Sequence, residues 1–271
     1  MSARPHVLVI AGSDSSGGAG LTRDVQAALA FGADVLAVVT AVTAQSDRRV
    51  LAIHPVPPAM VRAQVAAAFE SHVPGAIKIG MLVNRETVEA VAEAIEAALG
   101  SRGAVLAMPI VLDPVLVSSS GRVLLDQEGR RALADRLLPL TALLTPNVQE
   151  SAALLALAGT PGGATLDDQA RRLLDLGPRA VLLKGGHSSE PDAVDRLARR
   201  GQPLQLFASA RLPGSSRGTG CALASAIAAQ LASGVELGES CRQAQAYVAA
   251  LIGAAIARPR PAGVSNRTLG R

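Results

Sequence analysis

The sequence has 271 residues, 49% of them apolar, so it can bury a full core without disulfides or a structural metal. Its formal charge is only +4 and aromatic residues make up 1% of it. This argues against a nucleic-acid surface, which needs a basic stripe and stacking faces. No apolar run reaches the roughly 18 residues of a membrane span, and residues 1–5 are too short and polar for a signal peptide. We therefore expect a cytoplasmic protein with no nucleic-acid partner and no membrane partner.

Short apolar runs rich in β-branched residues alternate with longer Ala- and Leu-rich stretches. The predicted strands are residues 7–11, 35–43, 76–80, 110–113, 142–144 and 180–183, with an edge pair around residues 205–212. The predicted helices are residues 19–31, 58–71, 85–99, 127–137, 146–158, 166–175, 220–232 and 239–257. This alternation is typical of an α/β protein whose mostly parallel sheet is covered by helices on both faces. No linker divides the chain, so we expect a single domain over residues 1–271.

Glycine-rich and polar segments follow the predicted strands. They are residues 12–20, 44–46, 80–81, 113–114, 145–147 and 184–187. Ligands of open α/β sheets bind at the carboxyl ends of the strands, near the point where the strand order reverses. The sequence therefore predicts one ligand cleft lined by these segments.

The first of these segments, residues 12–20, is a glycine-rich turn that leads into a helix and can present backbone N–H groups to a ligand. It matches neither the dinucleotide fingerprint, because Arg23 stands at the third glycine position, nor a Walker A loop. An ordinary connection between strand and helix is the alternative. Asp24, in the first turns of the helix, either meets a polar ligand or offsets the helix dipole.

Gln45 ends a strongly apolar strand. Its side-chain amide offers a donor and an acceptor, which suits the edge of an aminopyrimidine ring. A surface glutamine at the end of a strand is the alternative interpretation.

Lysine is rare in this sequence. Of 26 basic residues, all but Lys78 and Lys184 are arginine. Arginine replaces lysine freely on a surface, but not where a compact ammonium is required. Both lysines lie beside glycine in apolar segments, so they are functional candidates, with chance as the alternative.

Carboxylates occupy two further positions in the predicted cleft. Asp113 ends an apolar strand and is a plausible hard-oxygen ligand for Mg²⁺ or an organiser of a phosphate site. Thr145 and Pro146 are typical of a helix start, which places Asn147 and Glu150 on one face of the first turn. Glu150 either completes that helix start or joins Asp113 around a magnesium–phosphate site with water.

The most specific signal is the Gly-Thr-Gly-Cys segment at residues 218–221, which follows Arg217 and opens an apolar helix. Free N–H groups at such a helix start form an anion hole. The positive end of the helix is expected to lower the pKa of Cys221, whose sulfur then takes a proton from a substrate hydroxyl. A small cysteine packed near a helix start is the alternative.

Seven segments in this order carry a family resemblance. They are residues 11–20, 40–45, 78–81, 113–115, 144–147 with Glu150, 181–187 and 218–221. Together they resemble the hydroxymethylpyrimidine/phosphomethylpyrimidine kinases, members of the ribokinase-like superfamily. The resemblance covers about residues 7–251 and implies a three-layer αβα ribokinase-like fold that uses ATP and Mg²⁺.

The resemblance also implies roles for individual residues. The pyrimidine pocket would be lined by Gly12, Asp24, Gln45 and Met81. The nucleotide would be bound by Asn147, Lys184 and Gly186, and the magnesium site would be organised by Asp113 and Glu150. The catalytic set would be the anion hole of Gly218, Thr219 and Gly220, with Cys221 in the position of the catalytic base.

Some positions depart from the family pattern. Ser119 and Gln245 stand where many relatives have lysine, Ser46 where asparagine or aspartate is common, and the tail at residues 258–271 lacks the familiar ending. Arg217 replaces a histidine. Either Arg217 holds the phosphate of an anionic second substrate, or it faces solvent.

The leading functional interpretation is phosphorylation of a hydroxymethylpyrimidine and then of its monophosphate, for thiamine diphosphate biosynthesis. A pyridoxal or pyridoxine kinase is the runner-up, since its substrate is a similar flat ring with a hydroxymethyl arm. A nucleotide-binding regulatory module without catalysis is a third interpretation, disfavoured by the intact segment at residues 218–221. A homodimer is left open as the assembly.

Overall fold

A computed structural model describes residues 4–100, 108–159, 165–186, 188, 191–212 and 217–257. Within these residues, nine strands form one sheet. The strands are β1 (His6–Asp14), β2 (Asp34–Gln45), β3 (Val50–Pro55), β4 (Ala76–Ile79), β5 (Ile110–Leu112), β6 (Leu143–Leu144), β7 (Ala180–Leu183), β8 (Ala193–Arg199) and β9 (Gln205–Ser209). The helices are α1 (Gly20–Ala30), α2 (Pro58–Ser71), α3 (Arg85–Gly100), α4 (Gln127–Ala132), α5 (Val148–Leu157), α6 (Leu166–Arg172), α7 (Thr219–Ala232) and α8 (Leu237–Ala257).

The sheet has the order β3-β2-β1-β4-β5-β6-β7-β8-β9. Strands β1, β2 and β4 to β7 are parallel, whereas β3, β8 and β9 pair antiparallel with their neighbours at the two edges. The chain passes from β1 to β2 on one side and to β4 on the other. The strand order therefore reverses beside β1, and the carboxyl ends of β1 and β4 border the crevice where such sheets bind ligands.

Side chains of β1 alternate between two apolar cores, as the pleat of a strand requires. Leu8 and Ile10 pack with residues of α2 to α6, and Val7 and Val9 pack with residues of α1, α7 and α8. The predicted three-layer αβα architecture is thereby confirmed. In the described part of the chain, no helix combines the length and apolar character needed to cross a bilayer.

Most of the predicted elements are found within a few residues of their predicted bounds, but two strands were missed. Strand β3 pairs back on β2, and β8 is the partner of β9, so the predicted edge pair extends upstream of residues 205–212. Strand β8 carries Asp195 and Arg196, which break the apolar pattern of a strand. Both are buried, because Asp195 accepts a bond of 2.8 Å from the N–H of Gly185 and Arg196 contacts Asp167 at 2.7 Å.

Two predicted helices also begin or end differently. The helix predicted at residues 127–137 continues past α4 as a π-helical turn, Leu133–Leu137. Helix α5 is capped by Asn147 and not by Thr145, because the Asn147 side chain accepts a bond of 2.8 Å from the N–H of Glu150. The Thr145 hydroxyl is instead turned towards Leu112 and Asp113, each at 3.4 Å.

We predict that Gly75→Ala destabilises the fold. Gly75 precedes β4, and a Cβ atom there would lie 2.9 Å from the carbonyl oxygen of Ala232 at the end of α7. Because the added Cβ atom would press on backbone, which cannot turn away as a flexible side chain can, the overpacking should lower the free energy of unfolding by about 1–3 kcal/mol. The matched control is Gly100→Ala, where no described atom lies within 4 Å of the added Cβ. Urea denaturation measures both, and equal effects of the two substitutions would contradict the prediction.

Candidate active site

A cleft of about 410 Å³ opens at the carboxyl ends of the parallel strands. It brings together nearly all the predicted site residues, from segments far apart in the sequence. The predicted residues that line it are Gly12, Gln45, Met81, Asp113, Asn147, Glu150, Lys184, Gly186, Gly218, Thr219, Gly220 and Cys221. Ser119, Gln245 and Arg217, which depart from the family pattern, line it as well. The tail at residues 258–271 and His187 lie outside the described residues.

Asp24 is the exception, and the prediction that it lines the pyrimidine pocket is wrong. Its side chain is fully buried and does not line the cleft. Its Oδ1 atom lies 2.8 Å from the Nζ atom of Lys78 and also accepts a bond of 2.8 Å from the hydroxyl of Ser225. Lys78, which is itself fully buried, stands between Asp24 and the cleft and lines the cleft in its place.

The predicted anion hole lies at the start of α7, against the glycine-rich segment. Gly218 precedes the helix with a φ of +72°, a conformation that disfavours residues with a Cβ atom. A Cβ atom there would also lie 2.4 Å from the carbonyl oxygen of Gly18. Glycine thus lets the backbone before α7 touch the loop before α1, and the N–H groups at the start of α7 face the cleft between them.

Asp14, at the end of β1, organises the glycine-rich loop. Its carboxylate accepts bonds of 2.9 Å from the N–H of Ser16, 2.8 Å from the Ser16 hydroxyl and 2.9 Å from the N–H of Ala19. The sequence analysis did not single it out. The signal was available, because an aspartate two residues before a serine in a Gly/Ser-rich turn is typical of a side chain that bonds its own loop.

Arg217 lines the cleft and is largely buried, with its guanidinium bound by protein groups. Its guanidinium contacts Asp14 at 2.9 Å, the Ser16 hydroxyl at 3.0 Å, the carbonyl oxygen of Ser46 at 2.9 Å and Asp47 at 3.3 Å. The side chain is 18% exposed, so the solvent-facing alternative is wrong. Arg217 joins the glycine-rich loop, the turn after β2 and the start of α7.

Lys184, just after β7, is bound by two acidic side chains. Its Nζ atom lies 2.8 Å from Asp113 and 3.8 Å from Glu150. Burial opposes the Lys184 charge, but these carboxylates outweigh it and hold the pKa of Lys184 above its usual value. Burial raises the pKa of Glu150 to about 7, with Lys184 opposing and Asp113 adding to the rise. A Cβ atom on Gly220 would lie 3.2 Å from the Lys184 ammonium, so the helix start and this cluster share one space.

Glu150 completes the helix start, which is one of the two roles expected from the sequence. Its side chain accepts a bond of 2.8 Å from the N–H of Asn147 and so completes the helix cap. The same oxygen is the one that faces Lys184. The cap therefore fixes the carboxylate at the cleft, where it contributes negative charge beside Asp113.

Cys221 lies in the first turn of α7 and is half-buried in the cleft. Burial raises the pKa of the Cys221 thiol to about 12, while the Lys78 ammonium and the N–H of Gly20 act to lower it. The prediction that the helix start lowers this pKa is therefore wrong, because the loss of hydration outweighs the helix dipole. In the free protein Cys221 is a thiol at neutral pH.

The other end of the cleft carries the predicted pyrimidine contacts. Gln45 ends β2 half-buried, and its side-chain oxygen lies 3.4 Å from the Thr43 hydroxyl, which leaves its amide N–H groups for a ligand. Met81 follows β4, and its sulfur would lie 2.9 Å from a Cβ atom on Gly12. These three residues line one end of the cleft, and the side chain of Gln45 is polar.

The solved structures similar to this chain include kinases. The phosphomethylpyrimidine kinase of Clostridium difficile 630 is 33% identical, with a TM-score of 0.77 over 92% of this chain and 100% of that one. The pyridoxal kinase of Staphylococcus aureus, solved with AMP-PCP and pyridoxal, is 29% identical, with a TM-score of 0.79 over 93% of this chain and 88% of that one. The fold is thus that of ribokinase-like kinases.

Comparisons of the sequence show to which family of these kinases the chain belongs. The profile of the family described as phosphomethylpyrimidine kinase matches residues 14–264. A hydroxymethylpyrimidine/phosphomethylpyrimidine kinase of Rhizobium meliloti (strain 1021) is 40% identical over 92% of this chain and 90% of that protein. A protein of the same description from Escherichia coli (strain K12) is 37% identical over 83% of this chain and 82% of that protein. The chain belongs to the phosphomethylpyrimidine kinase family, which confirms the resemblance found in the seven segments.

We predict that Cys221 reacts slowly with iodoacetamide at pH 8. A thiol with a pKa of about 12 is almost wholly protonated there, and only the thiolate reacts. In the Cys241→Ala variant, Cys221 is the single cysteine of the chain. Its alkylation should be at least about tenfold slower than that of free cysteine, whose pKa is about 8.5, and should still rise above pH 10. A fast rate that is flat between pH 6 and 8 would restore the prediction of a lowered pKa.

Proposed function

We propose that the chain transfers the γ-phosphoryl group of ATP to the hydroxymethyl group of 4-amino-5-hydroxymethyl-2-methylpyrimidine, and then to the phosphate of the monophosphate, in thiamine diphosphate biosynthesis. The observation that carries this proposal is the convergence in one cleft of Gln45 and Met81, the start of α7 and a lysine–carboxylate cluster. Membership of the phosphomethylpyrimidine kinase family supports the same assignment.

The pyrimidine is assigned to the end of the cleft formed by Gly12, Gln45 and Met81. The amide of Gln45 pairs with the ring edge through its donor and acceptor groups. The Met81 thioether packs on the ring face, a contact that polarizable sulfur favours. This arrangement directs the hydroxymethyl arm towards Cys221 and the start of α7.

ATP is assigned to the end of the cleft where Asn147, Lys184 and Gly186 lie. In the first reaction the hydroxymethyl oxygen attacks the γ-phosphorus, and the bond from that phosphorus to the bridging oxygen breaks, so that ADP leaves with the electron pair. The N–H groups at residues 218–220 and the Lys184 ammonium stabilise the negative charge on the transferred group. Cys221 is a thiol before the substrates bind, so it first releases its own proton to the solution, and the thiolate then receives the hydroxyl proton.

A magnesium ion fits beside this cluster. Among the described residues no three acidic, cysteine or histidine side chains converge as a metal cage, but Mg²⁺ is commonly held by one or two carboxylates with water and phosphate oxygens. Asp113 and Glu150 would hold it, since the bond from Lys184 is to only one oxygen of Asp113. When bound, the ion supplies positive charge to the phosphates.

A pyridoxal kinase activity is the second candidate. Pyridoxal kinases are among the structural relatives, and one from Bacillus subtilis, solved with ADP, has a TM-score of 0.80 at 28% identity. Pyridoxine resembles the pyrimidine in its flat ring and hydroxymethyl arm. The acceptor preference of the chain decides between the two.

Several further features are proposed on the same basis. We assign the protein to the cytoplasm as a single catalytic domain with small-molecule substrates, and a homodimer stays a prediction. Oligomeric state in solution is measured by light scattering.

Acceptor preference tests the proposed function. We expect ATP-dependent phosphorylation of both pyrimidines, and slower turnover of pyridoxine. Gln45→Leu should raise the KM for the pyrimidine by about tenfold or more, because a buried polar edge loses its partner, while the KM for ATP changes by less than about threefold. Gln202→Leu, the same change at an exposed position outside the cleft, is the matched control. Faster turnover of pyridoxine than of either pyrimidine would assign the second activity instead.

Arg217→Ala should impair both phosphorylations to a similar degree. The substitution removes the cation that joins three segments of the cleft and leaves Asp14 without its partner. Charge-assisted bonds contribute about 1.5–3 kcal/mol, so we expect kcat/KM to fall by roughly tenfold or more for each acceptor. Arg217→Lys should recover only part of the loss, because an ammonium cannot reproduce the planar fork. A loss confined to the monophosphate would show instead that Arg217 binds the phosphate of that substrate.

A further inference from the structure

Lys78 is a buried charge with no assigned role in the reaction. It lies near the end of β4, its side chain is 0% exposed to solvent, and yet it lines the cleft. We propose that Lys78 is a positioning cation for the first phosphorylation, held by Asp24 beneath Cys221, where it stabilises the negative charge that develops when the substrate hydroxyl loses its proton. This inference rests on the proposed kinase function.

The geometry of two helices places the Lys78–Asp24 pair beneath Cys221. Gly20 opens α1 and its N–H group bonds the Cys221 sulfur, which opens α7. One helical turn further along each helix, Asp24 and Ser225 are bonded to each other at 2.8 Å. The starts of α1 and α7 are thus in register over two successive contacts, so the pair lies one turn below the sulfur.

The bonding of the pair is incomplete for a purely structural contact. The Lys78 ammonium has three protons, and within the described residues its hydrogen bond is to Asp24 Oδ1 alone, at 2.8 Å. The second carboxylate oxygen of Asp24 is buried without a hydrogen-bond partner. Buried ion pairs stabilise a fold only when their remaining protons and lone pairs are satisfied. Lys78 thus lines the cleft with ammonium donors that the described residues do not use.

The charges around Lys78 favour its ammonium form. Burial opposes that charge, but Asp24, Cys221 and Asp113 together outweigh it and raise the pKa of Lys78. The Lys78 ammonium acts to lower the pKa of Cys221. Burial raises that pKa, and Asp24 and Asp113 add to the rise. Lys78 is thus the cation that opposes the protonated state of Cys221, while Lys184 serves the phosphate end of the cleft.

The two proposed reactions differ in their need for this charge. In the first, an O–H bond of the hydroxymethyl group breaks, its proton moves to the Cys221 thiolate, and the oxygen forms the new bond to phosphorus. In the second, the attacking atom is a phosphate oxygen that is already ionised at neutral pH. A cation that acts on the proton transfer affects the first reaction selectively, whereas one that only holds the fold affects both.

The test compares both reactions in Lys78→Met and Asp24→Asn. Lys78→Met should lower kcat for the hydroxymethylpyrimidine on the order of 10- to 100-fold, with the KM for the pyrimidine and kcat for the monophosphate within about threefold of the unmodified protein. Asp24→Asn removes the carboxylate that keeps Lys78 charged, so it should also lower kcat for the hydroxymethylpyrimidine and leave kcat for the monophosphate within about threefold. Gln230→Leu is the control for loss of stability. Gln230 lies further along α7, and the substitution removes its buried hydrogen bond of 3.0 Å to the carbonyl oxygen of Ser240.

Three outcomes would overturn the inference. Equal losses of both reactions in Lys78→Met, at a melting temperature close to that of Gln230→Leu, would assign the pair to the fold alone. Losses of both reactions by the same factor in Asp24→Asn would do the same. Should Lys78→Met not fold, the double variant Lys78→Met/Asp24→Asn removes both charges, and an unchanged ratio of the two reactions there contradicts the proposal. An unmodified protein that phosphorylates neither pyrimidine would refute the kinase function itself, before any variant is compared.

Discussion

The two lysine–aspartate ion pairs at the carboxyl end of the sheet lie where water is largely excluded, and this constraint shapes the cleft. Asp24 forms an ion pair with Lys78, and Asp113 forms one with Lys184, each at 2.8 Å. The attraction within such pairs barely repays the loss of hydration, yet removing one partner costs about 3–5 kcal/mol because it strands the other charge. Replacing one member of a pair is therefore strongly destabilising, although the intact pair adds little to stability. What the pairs provide is two ammonium groups held in place beside the start of α7.

The layers of the fold could be predicted from the sequence because apolar periodicity decides them. Strand β1 is apolar on both faces, as a strand buried between two helical layers must be. The prediction failed where charge was buried by pairing. Strand β8 was missed because the partners of Asp195 and Arg196 lie at Gly185 and Asp167, and no local pattern reveals contacts over such distances along the chain.

The composition of the site could also be predicted, since glycine-rich and polar segments after parallel strands converge wherever such a sheet forms. Its electrostatics could not. The pKa of Cys221 depends on how much water reaches the sulfur. The sequence shows the helix start, which acts to lower the pKa, but not the burial that raises it. Arg217 meets Asp14 across 203 positions of the chain, so its role becomes visible only when the two helix starts are brought together. Lys78 was signalled by composition alone, through the scarcity of lysine.

That scarcity has a consequence for the chemistry of the protein surface. The ammonium of Lys78 is fully buried and the Lys184 side chain is 14% exposed, so no lysine of this chain presents an accessible amine to the surrounding solution. Acylating reagents, reducing sugars and cyanate, which modify surface lysines of most proteins, meet only arginines there. A carbonyl compound reaches a lysine of this protein by entering the cleft, where Lys184 is the side chain it meets. Lysine modification of the folded protein would therefore report occupancy of the nucleotide end of the cleft.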